Sequence, residues 1–251
     1  VFKRRSCTHG VSVNFEIAAT NGAVTADLPA EMIRLGFLIW ALLWSVWSFE
    51  TANWGPLSPS NIRVQYASLV RFGDDLILYG GRFANQDTDF RDVHIWSTQT
   101  RTWSTATASS GIRSSRHSCC ASEDGMSMVC FGGATQGVIP VPTPSLRVLD
   151  LRTMSWTQPE GSGEMPPTRY AHGAVVYAGR HMLVIGGAEG EETAKDVYAL
   201  DMRTWRWQRV TVTGDGMEEV RQPELALDGE TLLVGGRQLR RCRISQDSAE
   251  P

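Results

Sequence analysis

Along this chain short apolar runs alternate with polar turns in a fixed order, and the order recurs. In its clearest form Gly173-Ala-Val-Val-Tyr177 meets a turn at Ala178-Gly179-Arg180. His181-Met-Leu-Val-Ile185 follows, ending at Gly186-Gly187. A polar loop, Ala188 to Lys195, leads to Asp196-Val-Tyr-Ala-Leu-Asp201, and Met202-Arg-Thr-Trp-Arg-Trp207 closes the unit. Short apolar runs bounded by Asp/Gly turns predict strands joined as hairpins.

The same order appears twice more upstream. One copy runs from Arg116-His117 through a turn at Asp124-Gly125 to Met126–Phe131 and Gly132-Gly133, and closes with Leu146–Asp150 and Trp156. Another runs from Arg63 to Tyr66, turns near Gly73-Asp74, and continues through Leu76–Tyr79, Gly80-Gly81, Asp92-Val93 and Trp103. Residues 218–236 supply half a copy, ending at Gly235-Gly236. The four Gly-Gly pairs are separated by 52, 54 and 49 residues, a period that predicts repeated supersecondary units. The spacing from Asp150 to Trp156 equals that from Asp201 to Trp207, so the copies agree at their ends too.

Each unit predicts four short strands in one sheet. Paired glycines at a strand end allow close backbone approach and unusual dihedrals. The tryptophan supplies a large plug. One such sheet cannot bury both faces alone and must stack on its neighbours, which is the radial logic of a β-propeller.

Arg-x-x-His before the first strand, the apolar run into Gly-Gly and the Asp-Val-Tyr…Asp…Trp ending together resemble the kelch repeat over residues 63–207. The resemblance implies an all-β propeller of four-stranded blades whose common role is protein binding. The expected architecture is about four blades, or an incomplete larger ring. WD40 repeats have a shorter period and a Gly-His…Trp-Asp signature that is missing here.

The ends depart from the pattern. Residues 1–44 are expected to lie outside the repeats, 45–236 to form the propeller and 237–251 to be a basic and polar tail. The uncharged run Leu35–Phe49 has three readings: a membrane segment, a signal peptide starting near Met32, or buried strand. The third is preferred, because Ser45 to Trp54 resembles the closing half of a repeat. The chain begins at Val1, which suggests a fragment or a processed product.

Charge and cysteines narrow the function. A net charge of -3 gives no basic field for nucleic acid. Five cysteines in no C-x-x-C pattern fit a reducing compartment, so a cytoplasmic location is expected. A membrane-associated or secreted protein is the alternative, if residues 33–49 are a targeting or anchor segment. Cys119 and Cys130 are predicted to face each other across one hairpin. Two reduced, buried thiols are preferred there over a disulfide.

Catalytic motifs are missing. The chain has no Gly-rich phosphate loop and no Gly-x-Ser-x-Gly. His117 and His172 are repeat-equivalent, which argues against a copper site of the galactose oxidase kind. No cofactor, metal or small-molecule substrate is expected. The structural repeat residues are Gly80, Gly81, Gly132, Gly133, Gly186, Gly187, Gly235, Gly236, Trp54, Trp103, Trp156 and Trp207. The candidate partner-binding residues are Arg63, Arg82, Arg116, His117, Arg169, His172, Glu189, Glu191 and Glu192. The loops after each Gly-Gly differ most, and Ala188 to Lys195 is acidic. The expected role is a non-enzymatic scaffold or adaptor whose loop face binds a protein segment. The alternative is a regulatory or substrate-recognition part of a larger enzyme.

Overall fold

In the computed structural model, residues 64–244 are described, apart from 84–88, 109–110, 137, 143–144 and 216. Trp54, Arg63 and the segments assigned above to residues 1–44, 33–49 and 45–54 lie outside them. Every regular element among the described residues is a β-strand.

The first sheet runs in chain order through β1 (Ser68–Phe72), β2 (Asp75–Tyr79), β3 (Val93–Ser97) and β4 (Thr102–Ala106). Phe72 lies opposite Asp75, so Gly73-Asp74 is a two-residue turn with Gly73 at φ 57°. The next stretch contains β5 (Ser118–Ala121), β6 (Ser127–Phe131), a small hairpin of β7 (Ala134–Thr135) and β8 (Ile139–Pro140), then β9 (Leu146–Asp150) and β10 (Ser155–Thr157). Its sheet orders as β5-β6-β9-β10.

The third stretch contains β11 (Ser162–Gly163), β12 (Gly173–Tyr177), β13 (His181–Ile185), the hairpin β14 (Ala188–Glu189) and β15 (Glu192–Thr193), β16 (Val197–Asp201) and β17 (Arg206–Val210). Here β11 lies outside β17 and parallel to it. The last contains β18 (Val212–Gly214), β19 (Glu224–Asp228), β20 (Thr231–Gly235) and β21 (Leu239–Ile244). These sheets are four blades in the β-propeller arrangement that the repeat predicts. First strands β1, β5, β12 and β19 pack side by side in that order.

The core lies between sheets rather than within one. Ile77 and Tyr79 of the first blade share a cluster with Cys119, Met128 and Leu149 of the second. Val129 and Phe131 join Val184, Leu200 and Trp207, while Leu183 and Ile185 join Leu232 and Val234. Each middle sheet therefore buries one face against the blade before it and the other against the blade after it. The nearly unbroken apolar pattern of β6 and β13 follows from that.

The fourth blade corrects the sequence reading. Residues 237–251 were expected to be a tail, yet Leu239–Ile244 forms β21, paired along β20. Alternation explains this: Cys242 and Ile244 point into the core while Arg241 and Arg243 are exposed. The fourth position in this sheet is taken by β18, antiparallel to β21. In the third blade the preceding linker strand, β11, lies outside a closing strand. In the fourth blade the linker strand sits directly on the third strand.

The cysteine expectation also fails. Cys119 lies opposite Cys130 as the turn predicts, but the two form a disulfide, with Cα atoms 4.1 Å apart. The expectation of thiols rested on cysteine count, which says nothing about cross-strand proximity. Cys120, one residue along, points to the other face and stays free and buried.

Candidate partner-binding face

The Gly-Gly pairs are junctions between blades. Gly81, Gly133 and Gly187 donate their N–H groups to Ser114 O, Arg169 O and Val220 O, each in the segment that opens the next blade. The first three pairs adopt positive φ throughout. A Cβ on Gly80 would come within 2.6 Å of Ser114 O and 2.8 Å of His117 Cε1. Gly235 and Gly236 do not adopt positive φ, and no described blade follows them.

These contacts fix the true repeat register. Ser114, Arg169 and Val220 are equivalent, as are Arg116, Ala171 and Gln222. Arg116 is thus equivalent not to Arg169, although each stands close before a histidine, but to Ala171 and to Tyr66 in the first blade. His117 does match His172. The peptide groups of the second set form a relay across blades: Arg116 N–H donates to Tyr66 O (2.9 Å), Ala171 N–H to Arg116 O (2.8 Å) and Gln222 N–H to Ala171 O (2.6 Å). All four residues hold a left-handed φ of 53–59°.

His117 and His172 are enclosed, at 2% and 1% exposure, and are not available to a partner. Burial first, then the nearby Arg169 charge, drives His172 down to about 3. Burial, followed by the Arg147 charge, holds His117 well below the usual histidine range. Both imidazoles are neutral packing elements: the Tyr79 ring lies 4.9 Å from His117, and Phe131 lies 5.5 Å from His172. Ser68 and Ser118 donate Oγ–H to the carbonyls of His117 and His172, tying first strands of adjacent blades.

Arg169 is also enclosed. Its Nη1 donates to Gly186 O (3.0 Å) and pairs with Asp196 Oδ1 (2.6 Å). In the second blade the capping of the Gly-Gly carbonyl falls to Arg147, which sequence reasoning left inside an apolar run. Its Nη2 donates to Gly132 O (2.7 Å) and its Nη1 to Ser114 Oγ and Tyr79 Oη. A lone arginine amid Leu146-Arg-Val-Leu149 was the available signal.

The tryptophans also act between blades. Trp156 packs on Tyr79 of the preceding blade at 4.6 Å, and Trp207 on Phe131 at 4.9 Å. Trp103 instead meets Trp96 of its own sheet at 5.5 Å.

What remains accessible is the set of loops after Gly-Gly. Bridges Gln65–Arg82, Ser115–Ala134 and Tyr170–Ala188 start these loops at equivalent positions, so they share one face. Asp89 crosses from the first loop to accept Gln136 N–H of the second at 2.5 Å, and Arg113 donates to Asp89 O. Val138 and Ile139 project from the second loop. The third loop, hairpin β14–β15, is pinned from both sides. Tyr170 Oη donates to Gly190 O (2.9 Å) and Arg221 Nη2 to Glu191 O (2.7 Å). Glu189, Glu191 and Glu192 are exposed on it, and among the described residues none of them forms an ion pair. A polar cavity of about 780 Å³ adjoins it, lined by Thr193, Glu219, Arg221, Arg237 and Gln238. Arg82 and Arg116 are half-buried on the same face.

Among the described residues no group of histidine, cysteine, aspartate or glutamate side chains could hold a metal ion, and no helix is long and apolar enough to cross a membrane.

The KLHDC2/KLHL20/DRC7 Kelch-repeats domain matches residues 66–247. Acyl-CoA-binding domain-containing protein 4 of Arabidopsis thaliana is 30% identical over 148 residues, 59% of this chain and 22% of that protein. The human Rab9 effector protein with kelch motifs is 33% identical over 139 residues, 54% of this chain and 36% of that protein. The mouse Rab9 effector is 33% identical over 122 residues, 48% of this chain and 31% of its own length. The matched stretch thus spans about a fifth to a third of these relatives.

Proposed function

Because the chain belongs to the Kelch-repeats domain family of KLHDC2, KLHL20 and DRC7, we propose that it is a non-enzymatic protein-interaction module that grips a partner with its Gly-Gly loop face. The observation that carries this reading is the β14–β15 hairpin, fixed by Tyr170 and Arg221 while its three exposed carboxylates form no ion pair among the described residues. A rigid frame with dissimilar, pinned loops loses little conformational freedom on binding. The third-blade side, with Glu189, Glu191 and Glu192, suits a basic segment of the partner. The Rab9 effectors, named for acting with another protein, are consistent with such a role.

A second reading is supported by the small share of each relative that is matched. In it the propeller is the recognition part of a longer protein whose other domains carry the activity. The test for both begins with crosslinking and affinity capture using this chain. Charge reversal at Glu189, Glu191 and Glu192 is expected to release a basic partner. Capture of every identified partner at unchanged yield would overturn the loop-face reading.

A further inference from the structure

We infer that the tips of the second- and third-blade loops dock a basic amphipathic helix. Val138 and Ile139 are its apolar footing, and Glu189, Glu191 and Glu192 border it electrostatically. This rests on the loop-face reading above and names the class of partner. Among the described residues the exposed large apolar side chains are Met126, Val138, Ile139, Met165 and Leu239, and only Val138 and Ile139 adjoin in sequence. They are 56% and 50% exposed.

Register places this pair beside the carboxylates. Val141 N–H donates to Gly133 O in the second blade, and Ala194 N–H to Gly187 O in the third. Counting back from Val141 and Ala194, Pro140 matches Thr193, Ile139 matches Glu192 and Val138 matches Glu191. The cross-strand pairs agree. Ala134 faces Pro140 and Thr135 faces Ile139, as Ala188 faces Thr193 and Glu189 faces Glu192. Equivalent positions of adjacent blades thus carry an apolar pair and an acidic pair. A partner that covers both must set apolar side chains next to basic ones.

Both tips are fixed before anything binds, so little freedom is lost on docking. Asp89 accepts Gln136 N–H in the second loop. In the third, Tyr170 Oη donates to Gly190 O and Arg221 Nη2 to Glu191 O. These bonds also bear on the partner's backbone. An extended segment adds to a sheet through unpaired N–H and C=O groups. Here Gln136 N–H, Gly190 O and Glu191 O are already taken by side chains of neighbouring blades. A helix satisfies its own backbone and offers an apolar stripe at i, i+3, i+4 and i+7 with lysine or arginine along its flanks. Covering Val138 and Ile139 removes apolar surface from water, while the carboxylates orient the helix and speed encounter. The same carboxylates oppose other covers. They repel an anionic lipid surface, and they would meet their own charge in a second copy docked through the same tips.

The test uses the full chain and fluorescein-labelled, hydrocarbon-stapled helices of about 18 residues, or about five turns. One carries a leucine stripe flanked by lysines. Another has the same residues in an order that destroys the stripe, and a third has glutamates in place of the lysines. Fluorescence anisotropy is expected to show binding of the first alone. Val138→Ser with Ile139→Ser should weaken it about thirtyfold. Both side chains are exposed, so the melting temperature of this variant should match wild type. Glu189→Gln, Glu191→Gln and Glu192→Gln together should weaken binding about tenfold and flatten its salt dependence. Equal affinity of wild type and the double serine variant overturns the inference. The loop-face reading survives that result if the three glutamines still weaken binding, and falls with it if they do not. Equal binding of the helix without a stripe reduces the site to an acidic patch and overturns the helix assignment. Sedimentation with phosphatidylcholine vesicles, or self-association, that is lost in the double serine variant reassigns the tips and also overturns it. Binding by no helix overturns the inference and leaves the loop-face reading to the charge-reversal capture above.

Discussion

Arg147 and Arg169 cap the same kind of carbonyl from different places in neighbouring blades. Arg147 reaches Gly132 O from the third strand, and Arg169 reaches Gly186 O from the segment before the first strand. The residues around them are exchanged in step. Where the third blade has Arg169, Asp196 and Tyr198, the second has Ser114, Ser145 and Arg147. Burial lowers the Arg147 pKa, and among the described residues no carboxylate meets its guanidinium.

This exchange makes a rescue experiment possible. Arg147→Tyr alone leaves Gly132 O without its donor inside the protein and should cost about 2–4 kcal/mol. Adding Ser114→Arg and Ser145→Asp rebuilds the third-blade arrangement and should recover at least half of that loss. Urea unfolding of the single and triple variants measures both. A triple variant no more stable than the single one would show that the two caps are not interchangeable.

Glycines of the same motif should respond differently. Gly80→Ala sets a Cβ against Ser114 O and His117 at positive φ, and should cost about 2–4 kcal/mol. Gly235→Ala meets nothing closer than 3.3 Å, at a φ that alanine accepts, and should change stability by about 0.5 kcal/mol or less. Thermal melts of both proteins decide this. Equal losses would refute the junction role of the first three pairs.

Acid should weaken the fold through its histidines. His172 titrates near 3 in the folded chain, below its ordinary 6.5. On unfolding below pH 6.5 it takes up a proton that the folded form refuses. Stability therefore falls as pH drops from about 6.5 towards 3, with a slope approaching about 1.4 kcal/mol per pH unit. His117, also depressed, adds in the same direction. Denaturant curves across this range should flatten in His172→Gln. An unchanged slope in that variant would assign the acid sensitivity elsewhere.

The disulfide spans 11 residues of sequence. Cys119→Ser with Cys130→Ser should lower stability by about 3 kcal/mol. Thiol labelling of the denatured, unreduced protein should spare both residues and mark Cys120. Labelling of Cys119 or Cys130 would show that the bridge is not formed.

The blade order was legible because apolar period, turn glycines and closing tryptophans all report the same unit. The site was less so. Arg116 and Arg169 look equivalent, since each stands close before a histidine. Only the hydrogen bonds from Gly81 and Gly133 show that Ser114 shares Arg169's place. Arg147 was hidden because strand pattern reports which face is buried, not which buried group needs a donor. The β18–β21 pairing was hidden as well. It depends on what lies beside β21 in space, which the order of residues does not state.

The relay through Tyr66, Arg116, Ala171 and Gln222 has a consequence for hydrogen exchange. The N–H groups of Arg116, Ala171 and Gln222 are held by the preceding blade and not by their own sheets. Their deuterium uptake therefore times the parting of neighbours, while amides of β6 and β13 time the melting of a sheet. A propeller that breathes between blades will show the first set exchanging ahead of the second, and a ligand bridging the face will slow the first set alone.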